Sequence, residues 1–282
     1  AIPVDLHGMK IVADCAEGAS YYTSVEALKL LGADVVAIHN NPDGTNINAG
    51  CGSTHMEELM ERVKAEKADV GLAFDGDADR LLAGDEKGNK VDGDQIMGIV
   101  GNYLKEQKKL KKDTIVATVM SNLGFFLMGE KQGIHMEQTK VGDRYVLERM
   151  RQIGANLGGE QSGHVIFLDE NTTGDGLLSA LHLLQVLVDT KKPLSELATI
   201  MEVLPQALVN AKVPNDKKNS YMENPQIADA IDALTKKFAG EGRVLIRPSG
   251  TEPLVRVMIE GRDQNRIQEE AEKLAALIES AM

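Results

Sequence analysis

Between His55 and Lys67 the apolar residues Met56, Leu59, Met60 and Val63 recur every three or four positions, with polar residues between them. That spacing places them on one face of a helix, and Ala68 to Phe74 then reads as a strand. The same alternation opens the chain. Lys10 to Asp14 reads as a strand, the small-residue turn Glu17-Gly18-Ala19 leads into a helix running to about Leu31, Gly32 caps it, and Val35 to His39 is the next strand. Asn40 to Gly52 is rich in Asn and Gly and is loop. Strands alternating with helices predict βαβ units and a mostly parallel sheet.

A second segment repeats the plan. Lys112 to Met120 is a strand, Ser121 to Gly124 turns into a helix capped by Gly133, Ile134 to Lys140 is a strand, Val146 to Ile153 is helical, and Ala155 to Gly159 begins another strand. Ala68 to Asp75 can be laid beside Ala155 to Ser162, since both end in a polar, glycine-containing loop. This reads as an internal duplication, with the two loops at equivalent places beyond strand ends, where ligands gather in open α/β sheets. The third segment differs. Val203 to Val213 is strand-like, Lys217 to Pro225 a polar linker and Gln226 to Phe238 a helix. Strands Arg243 to Ile246 and Leu254 to Glu260 precede a final helix, Asn265 to Ser280. The expected fold is therefore α/β: two similar α/β domains with mixed, mostly parallel sheets (1–91 and 92–203), followed by a smaller C-terminal α+β domain (204–282).

Composition narrows the function. The 282 residues carry 43% hydrophobic and 26% charged residues, an ordinary balance for a globular protein with a sizeable core. With 4% aromatics and no Trp, that core must be aliphatic. The formal net charge of -12 argues against a nucleic-acid partner, which needs Lys and Arg against phosphates. Cys15 and Cys51 are too few for a disulfide framework or a zinc site, so a reduced cytoplasm is the simplest location. The longest apolar run, Leu177 to Val188, contains His182 and Gln185 and is too short for a bilayer, so no membrane partner is expected. The chain shows no signal peptide and begins at Ala1 rather than Met, as expected of a piece of a longer protein.

Three loops carry candidate chemistry. In Asp75-Gly76-Asp77-Ala78-Asp79-Arg80, carboxylates at alternate positions can fold around one hard cation, and oxygen ligands suit Mg²⁺. An EF-hand would need Gly at the sixth position, where this loop has Arg80. Arg80 could bind a phosphate oxygen beside the metal. Gly158-Gly159-Glu160-Gln161-Ser162-Gly163-His164 offers donors and acceptors for a polyhydroxylated ligand. A Glu-Ser-His hydrolase would need partners placed by the fold, which this spacing does not show, and a plain glycine-rich connection fits the same residues. In Arg247-Pro248-Ser249-Gly250-Thr251-Glu252-Pro253, the small residues expose N–H groups and hydroxyls as an anion nest, and Arg247 adds a fork suited to phosphate. Arg256, on the same strand face as Leu254 and Met258, can also reach that anion.

These three loops, in this order, resemble the α-phosphohexomutase family, and the likeness runs essentially from Ala1 to Met282. Asn46-Ile47-Asn48, Cys51-Gly52-Ser53-Thr54-His55, Thr139-Lys140-Val141-Gly142-Asp143-Arg144 and Gln161 resemble its phosphoglucosamine mutase branch in particular. The resemblance implies that Asp75, Asp77 and Asp79 bind Mg²⁺ and that Arg80 supports the phosphoryl group as a catalytic residue. It implies that Glu160, Ser162 and His164 contact the sugar, and that Thr139, Val141, Gly142 and Asp143 help orient it. Arg247, Ser249, Gly250, Thr251 and Arg256 would hold the phosphate that is not reacting.

Family members have four domains, and these segments resemble the second, third and fourth. The first brings a phosphorylated serine in a Ser-His-Asn-Pro-type loop, whose oxygen is the fourth metal ligand. Here Ser121-Asn122 lacks the His and Pro, and Ser53-Thr54-His55 lacks the Asn-Pro. The implied activity is interconversion of glucosamine 6-phosphate and glucosamine 1-phosphate, an amino-sugar nucleotide and cell-wall precursor, with glucosamine 1,6-bisphosphate as intermediate and activator. The implied partners are the phosphosugar and the chain's own N-terminal domain, and a homodimer is compatible with the sequence. The present residues alone are expected to bind without turnover. Alternatives are a phosphoglucomutase or phosphomannomutase, a non-catalytic Mg²⁺ and sugar-phosphate binder, or an unrelated Mg²⁺-dependent sugar phosphatase using Asp75-Gly76-Asp77. The last leaves the Arg247 loop unexplained.

Overall fold

The computed structural model describes residues 2–282. They form two compact units, one of residues 2–121 and 125–202, the other of 122–124 and 203–282. The first unit opens with β1 (Lys10–Asp14), α1 (Ser20–Leu30), β2 (Asp34–Ile38), α2 (Glu57–Glu66), β3 (Val70–Phe74), β4 (Leu81–Asp85) and β5 (Lys90–Val91). Their sheet runs β2-β1-β3-β4-β5, the first three strands parallel and the last two antiparallel. Next come α3 (Gly93–Glu106), β6 (Thr114–Thr118), α4 (Leu123–Gln132), β7 (His135–Thr139), α5 (Asp143–Ile153), β8 (Leu157–Gly159), β9 (Val165–Phe167), α6 (Gly176–Thr190) and α7 (Leu194–Leu197). The second sheet runs β7-β6-β8-β9 with the same senses as β2-β1-β3-β4. The duplication read from two aligned strands is thus a duplication of topology, with β3 equivalent to β8 and each leading by a tight loop into an antiparallel partner.

One continuous core serves both sheets. Ile11, Leu72, Phe74 and Leu81 from the first join Ile96 and Met97 of α3, Leu183 and Leu184 of α6, and Ile115, Leu157 and Phe167 from the second. α3 packs on β4 and β8, and α6 on β4 and β9, so these two apolar helices are shared between the sheets. The start of α3 is fixed by a capping box in which Asp92 accepts from the Gln95 N–H (3.1 Å) and the Gln95 side chain accepts from the Asp92 N–H (3.2 Å). No helix is long and apolar enough to cross a membrane among the described residues.

The second unit contains β10 (Gln206–Lys212), α8 (Pro225–Phe238), β11 (Gly242–Pro248), β12 (Leu254–Gly261) and α9 (Gln264–Ala281). Its antiparallel sheet, β10-β12-β11, is covered by the helices through Ile227, Leu234, Phe238, Ile267, Ala271 and Ile278, which meet Val255, Val257 and Ile259 of the central strand. Gln206, Glu260 and Arg243 lie side by side across the three strands. Glu260 is fully buried there, accepting from Arg243 Nε and from Gln206 Nε2, each at 2.6 Å.

Several expected bounds shift for identifiable reasons. The strand expected from Lys112 shortens to β6 because Lys111–Asp113 forms a 3-10 turn with Lys112 at φ 58°. α5 begins at Asp143 rather than Val146, since Gly142, at φ 126°, supplies the break before it. The polar linker expected at Lys217–Pro225 is structured: Tyr221–Glu223 is a 3-10 turn, Asn224 caps α8 and Pro225 begins it. β4, β5, α3 and β9 carry no counterpart in the sequence pattern read above.

His182 of α6 stacks on Phe167 (3.8 Å between centroids), and burial, with the Lys109 charge adding to it, lowers its pKa from 6.5 to about 4. The unfolded chain therefore takes up this proton first. Stability present above pH 6.5 is lost as pH falls toward 4, by roughly 3 kcal/mol at the limit. Replacing His182→Gln should flatten that part of the pH profile in urea unfolding. In the second unit, Glu260→Ala removes the buried carboxylate to which Arg243 and Gln206 both donate and should cost about 3–5 kcal/mol in the same measurement. Glu260→Gln, which keeps the shape, should cost less.

Candidate functional site

The loop joining β3 to β4 carries the acidic cluster. One oxygen from each of Asp75, Asp77 and Asp79 lies within 4.8 Å of the others, as the alternating pattern predicted. The backbone closes tightly, with Ala78 in the left-handed region at φ 61° and the Arg80 N–H donating to Asp75 Oδ1 at 3.1 Å. Gly76 is enclosed: the Ala19 N–H donates to its carbonyl at 2.8 Å, and an added Cβ would fall 2.6–2.7 Å from Asn48 and Ile47. The loop Asn46-Ile47-Asn48 is thus a cover for the acidic turn.

The electrostatics fit a divalent cation. Arg80 Nε sits 3.7 Å from both Asp75 Oδ2 and Asp79 Oδ1, beyond hydrogen-bond range, so three carboxylates face one guanidinium. Asp79 Oδ1 is buried with no hydrogen-bond partner. Burial is the main cause that pushes Asp75 up to about 7; the Arg80 N–H opposes it and the Asp79 and Asp77 charges add to it. Crowded acceptor oxygens, one of them orphaned, match the hard donor set that Mg²⁺ or a similar ion takes.

The second loop, between β8 and β9, lies against the first. Leu81 N–H donates to the Gly163 carbonyl at 3.1 Å. His164 is 4% exposed, and both ring nitrogens are occupied: Nδ1 is 2.9 Å from Asp79 Oδ2, and Nε2 accepts from the Gly174 N–H at 3.0 Å. Accepting at Nε2 puts the proton on Nδ1, which therefore donates to Asp79. His164, expected as a sugar contact, faces a carboxylate of the acidic loop in this structure. Its ring needs Gly174, where an added Cβ would lie 2.6 Å from the imidazole and 2.7 Å from the Asp79 carbonyl.

Glu160 Oε1 accepts from the Gly142 N–H at 3.0 Å, which brings the Thr139–Arg144 segment to this loop. Ser162, Val141 and Asp143 are exposed, and Thr139 is turned inward to the Ala117 carbonyl at 3.3 Å. Gln161 donates to Asp92 at 3.2 Å while its carbonyl accepts from the Gly93 N–H, tying the loop to the start of α3. Asp92, Gly174 and the Gly176 N–H, which donates to the Ala78 carbonyl at 2.9 Å, escaped the sequence reading. The Gly174-Asp175-Gly176 run before the apolar stretch of α6, with Asp175 as its cap, was the available signal.

In the second unit, Arg247 and Arg256 stand directly opposite on β11 and β12. Burial, followed by the Arg256 charge, lowers the Arg247 pKa. Arg256 Nη2 donates to Glu252 at 2.8 Å, while its buried Nε has no partner. Ser249 is buried, its N–H donating to the Leu254 carbonyl and its Oγ accepting from the Glu252 N–H at 3.2 Å. Ser249 therefore shapes the turn that carries Gly250 and Thr251 beside the two guanidiniums. Lys218, from the segment read as linker, braces the turn by donating to the Glu252 carbonyl at 3.0 Å.

Comparison with known proteins agrees with this arrangement. Models of phosphoglucomutase/phosphomannomutase match in succession: alpha/beta/alpha domain II over residues 3–88, alpha/beta/alpha domain III over 92–204 and the C-terminal domain over 208–277. The phosphoglucosamine mutases of Clostridium acetobutylicum and Ruminiclostridium cellulolyticum are 59% and 60% identical over 278 residues, 99% of this chain and 62% of each relative. The chain thus spans about three fifths of their length. Among solved structures, Aspergillus fumigatus N-acetylphosphoglucosamine mutase in complex with GlcNAc-6P and magnesium superposes with a TM-score of 0.78 at 20% identity, covering 98% of this chain and 62% of that one. A Burkholderia thailandensis phosphoglucomutase/phosphomannomutase family protein gives 0.77 at 24% identity, with 98% and 62% coverage. The chain belongs to the phosphoglucomutase/phosphomannomutase family and carries its domains II, III and IV.

Proposed function

We propose that these residues are the metal-, sugar- and phosphate-binding part of an enzyme that interconverts glucosamine 6-phosphate and glucosamine 1-phosphate through glucosamine 1,6-bisphosphate. The observation that carries the reading is the acidic loop, with three carboxylates converging within 4.8 Å and Asp79 Oδ1 left without a partner. Glucosamine is preferred to glucose or mannose as the substrate sugar because the 59–60% identical relatives are phosphoglucosamine mutases.

Phosphoryl transfer asks a protein mainly for positioning and charge stabilisation. Asp75, Asp77 and Asp79 would hold Mg²⁺, which when bound neutralises charge on the transferring group. His164 fixes the rotamer of Asp79. Arg80, close to both Asp75 and Asp79, would hold a phosphoryl oxygen. Glu160 and Ser162 would meet the sugar hydroxyls, with Val141, Gly142 and Asp143 beside them and Thr139 setting the backbone of that segment. Arg247, Arg256, Gly250 and Thr251 would bind the other phosphate, on a turn shaped by Ser249. A bisphosphate intermediate must turn around between two such sites, so each has to accept either end of the sugar. The reading takes its transferable phosphoryl group from a phosphoserine outside residues 1–282, in a domain I. The proposed partners are that domain and the phosphosugar, in the cytoplasm.

A coupled mutase assay with Mg²⁺ and glucosamine 1,6-bisphosphate tests this reading. No turnover by the chain alone, and turnover on mixing with a separately expressed domain I, is expected. Turnover by the chain alone would refute the division of labour. In calorimetry, Asp77→Asn should abolish Mg²⁺ binding, and His164→Ala should weaken it about 10- to 100-fold, as loss of a group that orients a ligand does. Arg247→Ala removes charge-assisted hydrogen bonds of about 1.5–3 kcal/mol and should weaken glucosamine 6-phosphate binding about 10- to 100-fold while leaving Mg²⁺ binding unchanged.

A further inference from the structure

β1 and β2 are neighbouring parallel strands paired Asp14 to Ile38, so the residue after β2, His39, comes out beside the last residue of β1. His39 takes a left-handed φ of 47°, uncommon for a residue with a side chain, and its Nδ1 lies 3.1 Å from Asp14 Oδ2. The Asn-rich loop returns to the same spot. The Gly52 N–H, at a glycine with φ 72°, donates to Asp14 Oδ2 at 2.9 Å and brings Cys51 in beside it. One ligand atom from each of Asp14, His39 and Cys51 falls within 4.8 Å of the others. Asp14 and Cys51 are fully buried, and the His39 side chain is 20% exposed.

The hydrogen bonding of this cluster is incomplete in a particular way. Both ring nitrogens of His39 face carboxylates, Nε2 at 3.2 Å from Glu58 Oε2 and Nδ1 at 3.1 Å from Asp14 Oδ2. Nδ1 is buried without a hydrogen-bond partner. That nitrogen, the Asp14 oxygen 3.1 Å away and the Cys51 thiol thus converge with no hydrogen bond joining the ring to the carboxylate. A carboxylate on the outer nitrogen of a metal-binding histidine is the recurrent device that orients such a ring.

We propose that Asp14, His39 and Cys51 bind a thiophilic divalent cation of the zinc class, at a site distinct from the Asp75 loop. Sulfur, imidazole nitrogen and one carboxylate oxygen form a mixed donor set that suits zinc, whereas the all-oxygen Asp75 loop suits magnesium. Bond lengths of about 2.0–2.3 Å to such an ion set ligand atoms roughly 3–4 Å apart, the scale of this cluster. Binding displaces the Cys51 thiol proton to solvent and places the metal between Sγ, Nδ1 and Oδ2. Asp14 also holds the Ala16 N–H at 2.9 Å, and the Asn48 N–H donates to the Ala16 carbonyl at 2.9 Å. An ion here would therefore stiffen the segment whose Ile47 and Asn48 cover Gly76 of the acidic loop.

The test is a Co²⁺ titration of the 282-residue chain with Mg²⁺ in excess, read by absorbance and by Zn²⁺ displacement. A thiolate-to-cobalt charge-transfer band that saturates at a single equivalent and is bleached by Zn²⁺ is expected. Cys51→Ser should remove the band, Cys15→Ser should keep it, and His39→Gln should weaken Co²⁺ binding at least about tenfold. A native chain with no charge-transfer band would overturn the proposal and leave Asp14 and His39 as a pair held by a proton. A band that survives Cys51→Ser would overturn it equally. The native titration decides even if a variant folds poorly.

Discussion

The hydrogen bond from His164 Nδ1 to Asp79 Oδ2, 2.9 Å long, joins the two halves of the duplicated architecture. β3–β4 and β8–β9 are equivalent hairpins on equivalent sheets, and their loops would be separate features if the sheets were separate. The shared helices α3 and α6 and the continuous core bring them together, so a residue from one loop orients a ligand group of the other. His164 is buried, and its second nitrogen accepts from the Gly174 N–H. Asp79 in turn has one oxygen held and one left over.

Local sacrifices of stability mark the same places. Three carboxylates crowd one short loop, with Ala78 in a left-handed conformation. Two arginines stand directly across a strand pair in the second unit, where like charges repel. Neither arrangement favours folding, since like charges crowd together in both. The surrounding structure holds them in place: Gly76 is enclosed by Ala19, Ile47 and Asn48, and the Arg247 turn is braced by Lys218 and Ser249. Asp14, His39 and Cys51 likewise converge, around a buried ring nitrogen that has no hydrogen-bond partner.

The division of chemistry between loops follows from donor type. Oxygen-only groups gather after β3, backbone N–H groups and guanidiniums after β11, and mixed hydrogen-bonding groups after β8.

The alternation of strand and helix, the duplicated plan and the three loops were legible in the sequence. Each is local: a period of apolar positions, or a run of residues whose chemistry is visible side by side. Asp75, Asp77 and Asp79 converge because three alternate positions of one short turn can hardly do otherwise. What the tertiary structure alone decided is which groups meet across long separations in the chain. The role of His164 toward Asp79, the capture of Asp92 by Gln161, the Lys218 brace and the approach of Cys51 to Asp14 depend on strands and helices packing first. Periodicity reports burial but not partners. β4 went unseen because its five residues are buried throughout and show no alternation, whereas α3 does carry a helical period in Ile96, Met97, Ile99, Val100, Tyr103 and Leu104 and was legible.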